Sequence, residues 1–297
     1  MNSLPFIGEF YSILVALIWA VAVICFKKSG ENVHPVILNI FKNMVACILF
    51  FLTILILKID LLPDIPTQDY ILLIISGALG IGLSDTFFFA SLNRLGAGLS
   101  AIIDCMYSPS IIILSVIFLN EKMTLWQIGG VLLILSAILA ITSKKGRVNL
   151  TRADLFIGIL YGAVAMVSMA VSIVMIKNIL SVTDVLFVVQ IRFISGVAIM
   201  LLILLFHPKK KIICQSLATK KNWGYTIAGS ITGAYLASIV WIAGMKYTQA
   251  SISSALNQTS SLFIFIFAAM FLHEPLNKHR IAGLVFGITG VFFVILG

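Results

Sequence analysis

Four ionisable side chains lie within long apolar stretches of the sequence: Lys42, Asp85, Asp104 and Arg192. A charged side chain at the centre of a bilayer costs at least about 2.5–3.5 kcal/mol on insertion scales, so such residues normally face a polar interior and have partners. Lysine and arginine at this depth would attract a carboxylate, whereas an aspartate would attract an amine or hold a proton. The alternative is that Lys42–Asp and Arg192–backbone pairs only lock neighbouring helices together.

The depths of these residues can be compared by counting from the ends of their apolar stretches. The chain is expected to turn near residues 94–95, which places Asp85 and Asp104 at matching depth. At a rise of about 1.5 Å per residue, these acids and Lys42 lie roughly 12–15 Å from one face, and Arg192 lies at a similar depth from the other. Because the hydrocarbon core is about 30 Å thick, we expect all four at a polar cavity near the midplane.

Other polar and aromatic side chains fall at comparable depth. A dense polar run contains Asn257 and Gln258. Aromatic side chains at this depth could pack against an organic solute, although large aromatics usually fill the space between helices. The substrate-binding candidates are therefore Lys42, Asp85, Asp104, Tyr107, Arg192, Tyr235, Trp241, Asn257 and Gln258. Of these, Asp85 and Asp104 are also the candidates for proton coupling.

The sequence argues against an enzyme buried in the membrane, which would need a nucleophile–base pair or metal ligands at that depth. The 4 histidines lie near span ends, no HExxH motif occurs, and the 4 cysteines show neither metal-ligand spacing nor a disulfide framework. We expect no enzymatic activity, no metal and no cofactor. Glu121 and Glu274 lie at span ends and are expected to cap helices or fix loops. Thr124 and Gln127 form a predicted capping box.

The elements that position these residues are membrane spans. The chain is 61% hydrophobic and 10% charged, with a mean hydropathy of +1.13, whereas soluble domains carry about 25% charged residues. Since a span needs about 20 apolar residues, the sequence predicts an all-α polytopic membrane protein with ten transmembrane helices. The predicted spans are 10–28, 34–57, 70–92, 97–119, 124–142, 154–177, 184–206, 223–245, 250–272 and 278–297.

The ten spans divide into two copies of five. Residue pairs that align at a shift of 150 to 153 positions include Lys42 with Arg192, Glu121 with Glu274, and Gly130 with Gly283. An odd number of spans per copy inserts the two copies in opposite orientations, an arrangement typical of alternating-access transporters. We therefore predict inverted five-helix repeats at 1–150 and 151–297, joined by a hinge at 143–153.

The acids of the predicted cavity are not repeated. Asp85 aligns with Ser238 and Asp104 aligns with Asn257, so polarity recurs at equivalent positions while the carboxylates do not. We therefore expect one cavity that is shared by both halves and has two ends that differ in function.

The net charge of +9 comes from basic residues that lie mainly in loops, so membrane orientation explains it and we expect no nucleic-acid partner. Of the 20 Lys and Arg residues, fourteen lie on the face opposite the termini. The face that carries the termini has only four: Lys58, Lys122, Lys177 and Lys246. The positive-inside rule then places both termini outside the cytoplasm.

Three small-residue motifs allow helices to approach closely. They are Gly158-x-x-x-Gly162, Gly229-x-x-x-Gly233 and Gly283-x-x-x-Gly287. We expect them to serve packing within one chain, and the alternative is a homodimer interface.

The last two helices of each half share a set of residues in register. In the first half these are Ala97-x-x-Ser100, Pro109, Phe118-Leu119-Asn120-Glu121 and Gln127-x-x-Gly130, and in the second half Ala250-x-x-Ser253, Phe271-Leu272-His273-Glu274-Pro275 and Arg280-x-x-Gly283. The pattern resembles the ten-helix EamA type of the drug/metabolite transporter superfamily. The resemblance covers nearly the whole chain and implies secondary transport of small metabolites, often amino acids or related compounds, frequently as export.

The chain departs from this family in two ways. Leu262 stands where the second half would repeat Pro109. The family is also often expected to have cytoplasmic termini, in conflict with the charge count.

We expect a secondary transporter in the cell inner membrane that exports small polar organic metabolites by alternating access. Its partners would be such a metabolite and the lipid bilayer, and proton coupling is an open alternative. The rival functions are a channel or a non-transporting receptor and, less favoured, an intramembrane enzyme. A channel usually needs a repeated filter or a ring of subunits, and one asymmetric chain of 297 residues shows neither.

Overall fold

The computed structural model of the chain describes residues 6–29, 35–142, 151–208, 210–216, 223–272 and 278–297, and every regular element within them is helical. The first half contains α1 (Ile7–Ser29), α2 (Pro35–Leu57), α3 (Thr67–Gly77), α4 (Ser84–Asp104), α5 (Tyr107–Phe118) and α6 (Leu125–Thr142). The second half contains α7 (Arg152–Val174), α8 (Lys177–Val182), α9 (Val185–Phe206), α10 (Lys210–Ser216), α11 (Trp223–Gly229), α12 (Ala237–Tyr247), α13 (Ala250–Asn257), α14 (Ser260–Leu272) and α15 (Lys278–Leu296). Two π-helical segments, Ala78–Leu83 and Ser230–Leu236, connect α3 to α4 and α11 to α12.

The predicted all-α polytopic membrane fold is confirmed. Among the described residues, 6 helices are long and apolar enough to cross a membrane, and shorter apolar helices cover Tyr107–Phe118, Leu125–Ala137 and Val285–Leu296. Large apolar side chains such as Ile56 and Phe206 are exposed, as expected where lipid is the solvent. The short α10 lies in a predicted loop and was not expected. Most of the predicted hinge (143–150) lies outside the described residues, as does Glu274.

Helix starts follow the capping chemistry of the sequence. The predicted capping box is confirmed, because Thr124 Oγ1 accepts from the Gln127 amide at 3.1 Å and Gln127 Oε1 accepts from the Thr124 amide at 3.0 Å. Thr151 caps α7 and Asp184 caps α9 in the same way, each accepting from a backbone amide of the first turn.

The chain reversal expected near residues 94–95 is present, although it lies within a continuous helical run. A β-carbon added at Gly162 of α7 would lie 2.6 Å from Ile103 Cγ2 and 2.9 Å from Ser91 Oγ. A straight helix would separate residues 91 and 103 by about 18 Å. We infer that α4 bends back on itself between them, so that both of its arms pack against α7.

Equivalent helices of the two halves pack against each other in opposite directions. Asn43, near the start of α2, lies beside Met200 in the second part of α9. Phe50, further along α2, makes an edge-to-face contact with Phe193 in the first part of α9, with ring centroids 5.1 Å apart. The start of α6 likewise lies beside the end of α15, where Trp126 and Phe293 make an edge-to-face contact. This antiparallel packing is the geometry that an axis in the membrane plane produces between inverted repeats.

The first helix of each half packs mainly on the other half. In α1, the Ser12 hydroxyl lies 2.8 Å from the hydroxyl of Ser253 in α13. In α7, the Gly158 carbonyl accepts a hydrogen bond from Ser91 of α4 at 2.8 Å. The two halves are therefore interlocked rather than placed side by side.

The small-residue motifs serve contacts within the chain, as expected. Gly158 and Gly162 face α4, whereas Gly229 and Gly233 face Phe26 of α1. In the third motif, Gly287 faces Leu262 of α14. A homodimer would therefore have to use surfaces other than these glycines.

We expect that Gly130→Val will destabilise the protein through the contact of α6 with α15. A β-carbon at Gly130 would lie 2.6 Å from the backbone oxygen of Gly290, and backbone cannot move aside cheaply. Overpacking of this kind costs about 1–3 kcal/mol. Gly129→Val is the matched control, because no described residue has an atom within 4 Å of a β-carbon at that position. Thermal unfolding of the purified variants tests this, and an equal loss in both would contradict the proposed packing.

Candidate functional site

A cluster of buried polar side chains lies between the two halves, at the contact of α5, α9 and α12. Its centre is Arg192, the largest side chain in the described core, with 1% of its surface exposed. The guanidinium carbon lies 5.5 Å from the ring centroid of Trp241, a distance at which a cation is attracted by the ring face. Nη2 donates to the Ser172 hydroxyl at 3.3 Å. Tyr107, which is 7% exposed, is also close enough to Arg192 for electrostatic interaction.

Local backbone features explain how these three side chains meet. Tyr107 begins α5, directly after a break in the helix at Cys105 and Met106, and no side chain caps this N-terminus. The π-helical segment after α3 brings Gly80 against Arg192. A β-carbon at Gly80 would lie 3.1 Å from Nη2 and 2.3 Å from the Ser172 hydroxyl, so only glycine leaves room for the arginine here. Such segments are frequent at functional sites.

Although the Trp241 side chain lies next to the Tyr107 hydroxyl, three polar atoms of this cluster are buried without a hydrogen bond of ordinary geometry to any described residue. They are Arg192 Nε, the Tyr107 hydroxyl and Trp241 Nε1. A buried polar group that makes no hydrogen bond costs free energy, and native proteins therefore contain few of them. Among the described residues, Arg192 also has no carboxylate within salt-bridge distance. Within the described part of the chain, the cluster thus presents three donors that make no hydrogen bond and one positive charge without an ion-pair partner.

Asp104 and Gln258 lie at equivalent helix breaks in the two halves. Asp104 ends α4, Gln258 follows α13, and Gln258 Nε2 donates to the backbone oxygen of Asp104 at 3.0 Å. The hydroxyls of Ser108, just after the first break, and Ser254, one turn before the second break, lie 3.3 Å apart. The Asp104 carboxylate has no ion-pair partner among the described residues and lies close enough to Tyr107 to interact electrostatically.

Lys42 and Asp85 are paired with each other. Lys42 Nζ lies 3.6 Å from Asp85 Oδ2 and donates to Asn43 Oδ1 at 2.9 Å. Asn39 is within hydrogen-bonding reach of the same carboxylate. Since Asn43 is level with Met200 on α9, this group lies about 12 Å from Arg192 along that helix. The four charges therefore form separate groups, and Lys42–Asp85 has the geometry of the helix lock that the sequence left as an alternative.

The remaining candidates occupy the surroundings of these groups. The Tyr235 hydroxyl lies 2.5 Å from Thr53 Oγ1, and its ring packs on Phe50 at 5.1 Å. Asn257 is half-buried at the end of α13, next to Gln258. The aromatic rings of Tyr107, Tyr235 and Trp241 also contribute to the central apolar core, as the packing alternative predicts.

The face that carries the termini is closed by ionic hydrogen bonds, here called the terminal seal (Glu121, Lys177 and Lys246). Glu121 accepts from the amides of Ala250 and Ser251 at 2.7 and 3.0 Å, so its expected role as a capping residue is confirmed. Lys177 Nζ donates to the backbone oxygens of Met245 and Thr248. Lys246 Nζ donates to the Thr183 oxygen at 2.7 Å.

Sequence reasoning did not single out several of these residues. Asn39 and Asn43 lie four residues apart in an apolar span, a spacing that places both on one helix face and could have identified them. No sequence spacing identifies Lys177 or Ser172. Lys177 binds backbone oxygens at the end of another helix, and Ser172 binds Arg192, which is distant in the sequence.

Two grooves on the surface have a different character from the buried cluster. The larger, of about 770 Å³, lies between α9 and α10 and is lined largely by leucines, with Lys210, Lys211 and Cys214 at its edge. None of the candidate residues lines it. Among the described residues, no three His, Cys, Asp or Glu side chains form a group suited to a metal ion.

Two relatives and one solved structure are similar to this chain over most of its length. An uncharacterized transporter of Archaeoglobus fulgidus is 24% identical over 291 residues, which is 96% of each chain. Protein PecM of Dickeya dadantii is 25% identical over 75% of this chain and 72% of its own. A crystal structure with 15% sequence identity superimposes with a TM-score of 0.84 over 99% of this chain and 98% of that one, which shows a shared fold.

The family comparison covers both halves. The model of the EamA-like transporter family matches residues 6–143 and again residues 156–296. The family and the A. fulgidus relative are named as transporters rather than enzymes. The two matches lie in tandem and together cover nearly the whole chain. The chain belongs to the EamA-like transporter family.

Proposed function

We propose that this membrane transporter moves small polar organic metabolites, such as amino acids or related compounds, by alternating access around the Tyr107–Arg192–Trp241 cluster. The observation that carries the proposal is the set of unpartnered donors on these three residues, buried between helices of both halves. Buried polar groups inside a membrane protein normally mark substrate or ion pathways. Transport outward across the cell inner membrane is part of the proposal.

The interlocked halves support alternating access. Residues 1–150 and 151–297 would act as the two repeats, with the cluster near their common axis. In the present conformation the terminal seal connects the region where α12 meets α13 to neighbouring helices. Glu121 binds it to the end of α5, and Lys177 and Lys246 bind it to the two ends of α8. Opening on this face requires these bonds to break. On the basis of the charge count, we place this face outside the cytoplasm.

Asp104 is the stronger of the two proton-coupling candidates. Asp85 already pairs with Lys42, which stabilises its charged form. Asp104 lacks such a partner in the described part of the chain and lies beside the cluster. A carboxylate in this position can take up a proton without breaking an existing ion pair.

Transport in proteoliposomes tests the function. The purified protein is reconstituted and supplied with labelled amino acids and small organic acids, with and without an imposed pH gradient. Accumulation of a solute against its gradient is expected. Flux that only follows the solute gradient would indicate a channel, and indifference to the pH gradient would exclude proton coupling.

Asp104→Asn should abolish transport while leaving folding and expression intact. The amide keeps the size of the side chain but cannot carry a charge or exchange a proton. Asp154→Asn is the matched control, because Asp154 is exposed and pairs with Arg94 at 3.0 Å, far from the cluster. Uptake assays on equal amounts of both variants give the comparison. Normal transport by Asp104→Asn would remove this residue from the mechanism.

A further inference from the structure

The buried cluster has the chemistry of an anion-binding site. All three unpartnered atoms, Arg192 Nε, the Tyr107 hydroxyl and Trp241 Nε1, can donate a hydrogen bond, and the two nitrogens cannot accept one in these protonation states. The guanidinium adds a full positive charge, and no carboxylate of the described part of the chain lies within salt-bridge distance of it, Asp104 being placed next to Tyr107 instead. A ligand that satisfies this set must supply oxygen acceptors and negative charge.

We propose that Tyr107, Arg192 and Trp241 form an oxyanion subsite that binds the carboxylate group of the transported solute. The inference rests on the proposed transport function and specifies the chemical group that this site recognises. The uncapped N-terminus of α5, where Tyr107 is the first helical residue, points the same way. The first amides of a helix carry a partial positive charge and favour an anion.

A carboxylate fits this subsite better than a phosphate does. Arg192 provides one positive charge, and one of its terminal nitrogens is already held by Ser172. A single carboxylate balances that charge and can take donors on both oxygens. A phosphate dianion would bring a second negative charge into a buried site where no second cation is within salt-bridge distance in the described chain.

Lys42 is not part of this subsite, although the sequence made it an equal candidate for attracting a carboxylate. Its charge is balanced by Asp85 at 3.6 Å and its ammonium donates to Asn43. A solute anion at Lys42 would have to displace an existing carboxylate, whereas at Arg192 it would complete an unpaired charge. The difference predicts unequal effects of substitutions at the two basic residues.

The test compares acids with the matching amides. Acetate, pyruvate, L-alanine, L-leucine and L-phenylalanine are each titrated against the purified full-length protein beside the corresponding carboxamide, with thermal stabilisation as the measure of binding. We expect at least one acid to bind and its amide to bind at least about tenfold more weakly, the loss expected when a hydrogen bond to a charged group is removed. The same pairs are then measured as substrates in proteoliposomes.

Two conservative variants, Tyr107→Phe and Trp241→Phe, each remove one donor and keep an aromatic ring. Each should weaken binding of the acid about tenfold or more and should weaken binding of the amide less, because a hydrogen bond to a charged acceptor is stronger than one to a neutral carbonyl. Tyr70→Phe is the matched control. The Tyr70 hydroxyl donates to the Pro63 oxygen at 2.7 Å, away from the subsite, so this variant should bind the acid as the wild type does.

The possible results separate the two proposals. If no acid binds more tightly than its amide, or if Tyr107→Phe and Trp241→Phe leave the preference intact, the oxyanion subsite is wrong. Should the protein transport solutes that lack a carboxylate, the transport function stands and only the subsite fails. If neither solutes with a carboxylate nor solutes without one cross the membrane, the proposed transport function and the oxyanion subsite both fail.

Discussion

Replacing Arg192 with methionine should abolish transport and leave the folded protein as stable as the wild type or more stable. Methionine has a similar length, is apolar and adapts to irregular space. The wild-type charge is buried and makes one hydrogen bond through Nη2 and a cation–π contact. Because removal of a charge from water costs several kcal/mol, an apolar side chain of similar volume is often neutral or stabilising at such a position.

The expected combination distinguishes a binding residue from a structural one. An arginine that only locked helices together would lose stability when replaced, whereas one kept for a ligand loses activity alone. Thermal unfolding and uptake by the same preparation provide both values. Arg94→Met serves as the control, because Arg94 pairs with Asp154 at the surface. A marked fall in the unfolding temperature of Arg192→Met, with residual transport in proportion to folded protein, would assign Arg192 to the scaffold.

Replacing Glu121 with alanine should open the terminal face. Its carboxylate accepts the amides of Ala250 and Ser251 and also the Ser251 hydroxyl at 2.6 Å. A hydrogen bond to a charged group contributes about 1.5–3 kcal/mol. The loss of three such bonds therefore shifts the balance between closed and open conformations by at least tenfold. Transport should slow, because the cycle needs both conformations at comparable population.

Thiol labelling measures this shift directly. Ser254, which lies one helical turn beyond the capped end of α13, is fully buried. In a background without native cysteines, Ser254→Cys should react slowly with a charged, membrane-impermeant thiol reagent and at least tenfold faster when combined with Glu121→Ala. Asp154→Ala is the control substitution, because it removes a carboxylate at the opposite end of α7. Asp154 lies at the start of this helix, whereas Glu121 lies near Lys177, which follows the end of the helix. Equal labelling rates in all three proteins would show that Glu121 does not hold this face closed.

Much of the fold was predictable because the bilayer imposes few solutions on an apolar chain. The apolar spans and the helix cap at Thr124 follow from local composition and spacing, whereas the division into two copies of five spans stays a prediction. The breaks at Cys105–Met106 and Gln258–Thr259 were not predicted, and neither were the π-helical segments. Their backbone geometry depends on contacts with other helices, such as Gly80 against Arg192, and these contacts leave no local pattern.

The sequence identified the buried charged residues but not how they are paired. The sequence shows two buried bases and two buried acids at similar depth, and several pairings are compatible with that set. The structure pairs Lys42 with Asp85 and leaves Arg192 without an acid within reach. That outcome depends on the antiparallel register of α2 and α9, which separates the two bases by about 12 Å. The assignment of these residues to a substrate site remains a prediction.

The exchange of first helices between the halves has a consequence for how the protein is made. Ser12 of α1 meets Ser253, which is 241 residues later in the chain, and Glu9 meets Thr248. During synthesis α1 therefore enters the membrane long before its partner exists, with part of its buried surface facing lipid. At about 5–20 residues per second, this interval lasts on the order of ten seconds or more. We expect the newly made chain to be most vulnerable to membrane proteases during that interval, before α13 is inserted.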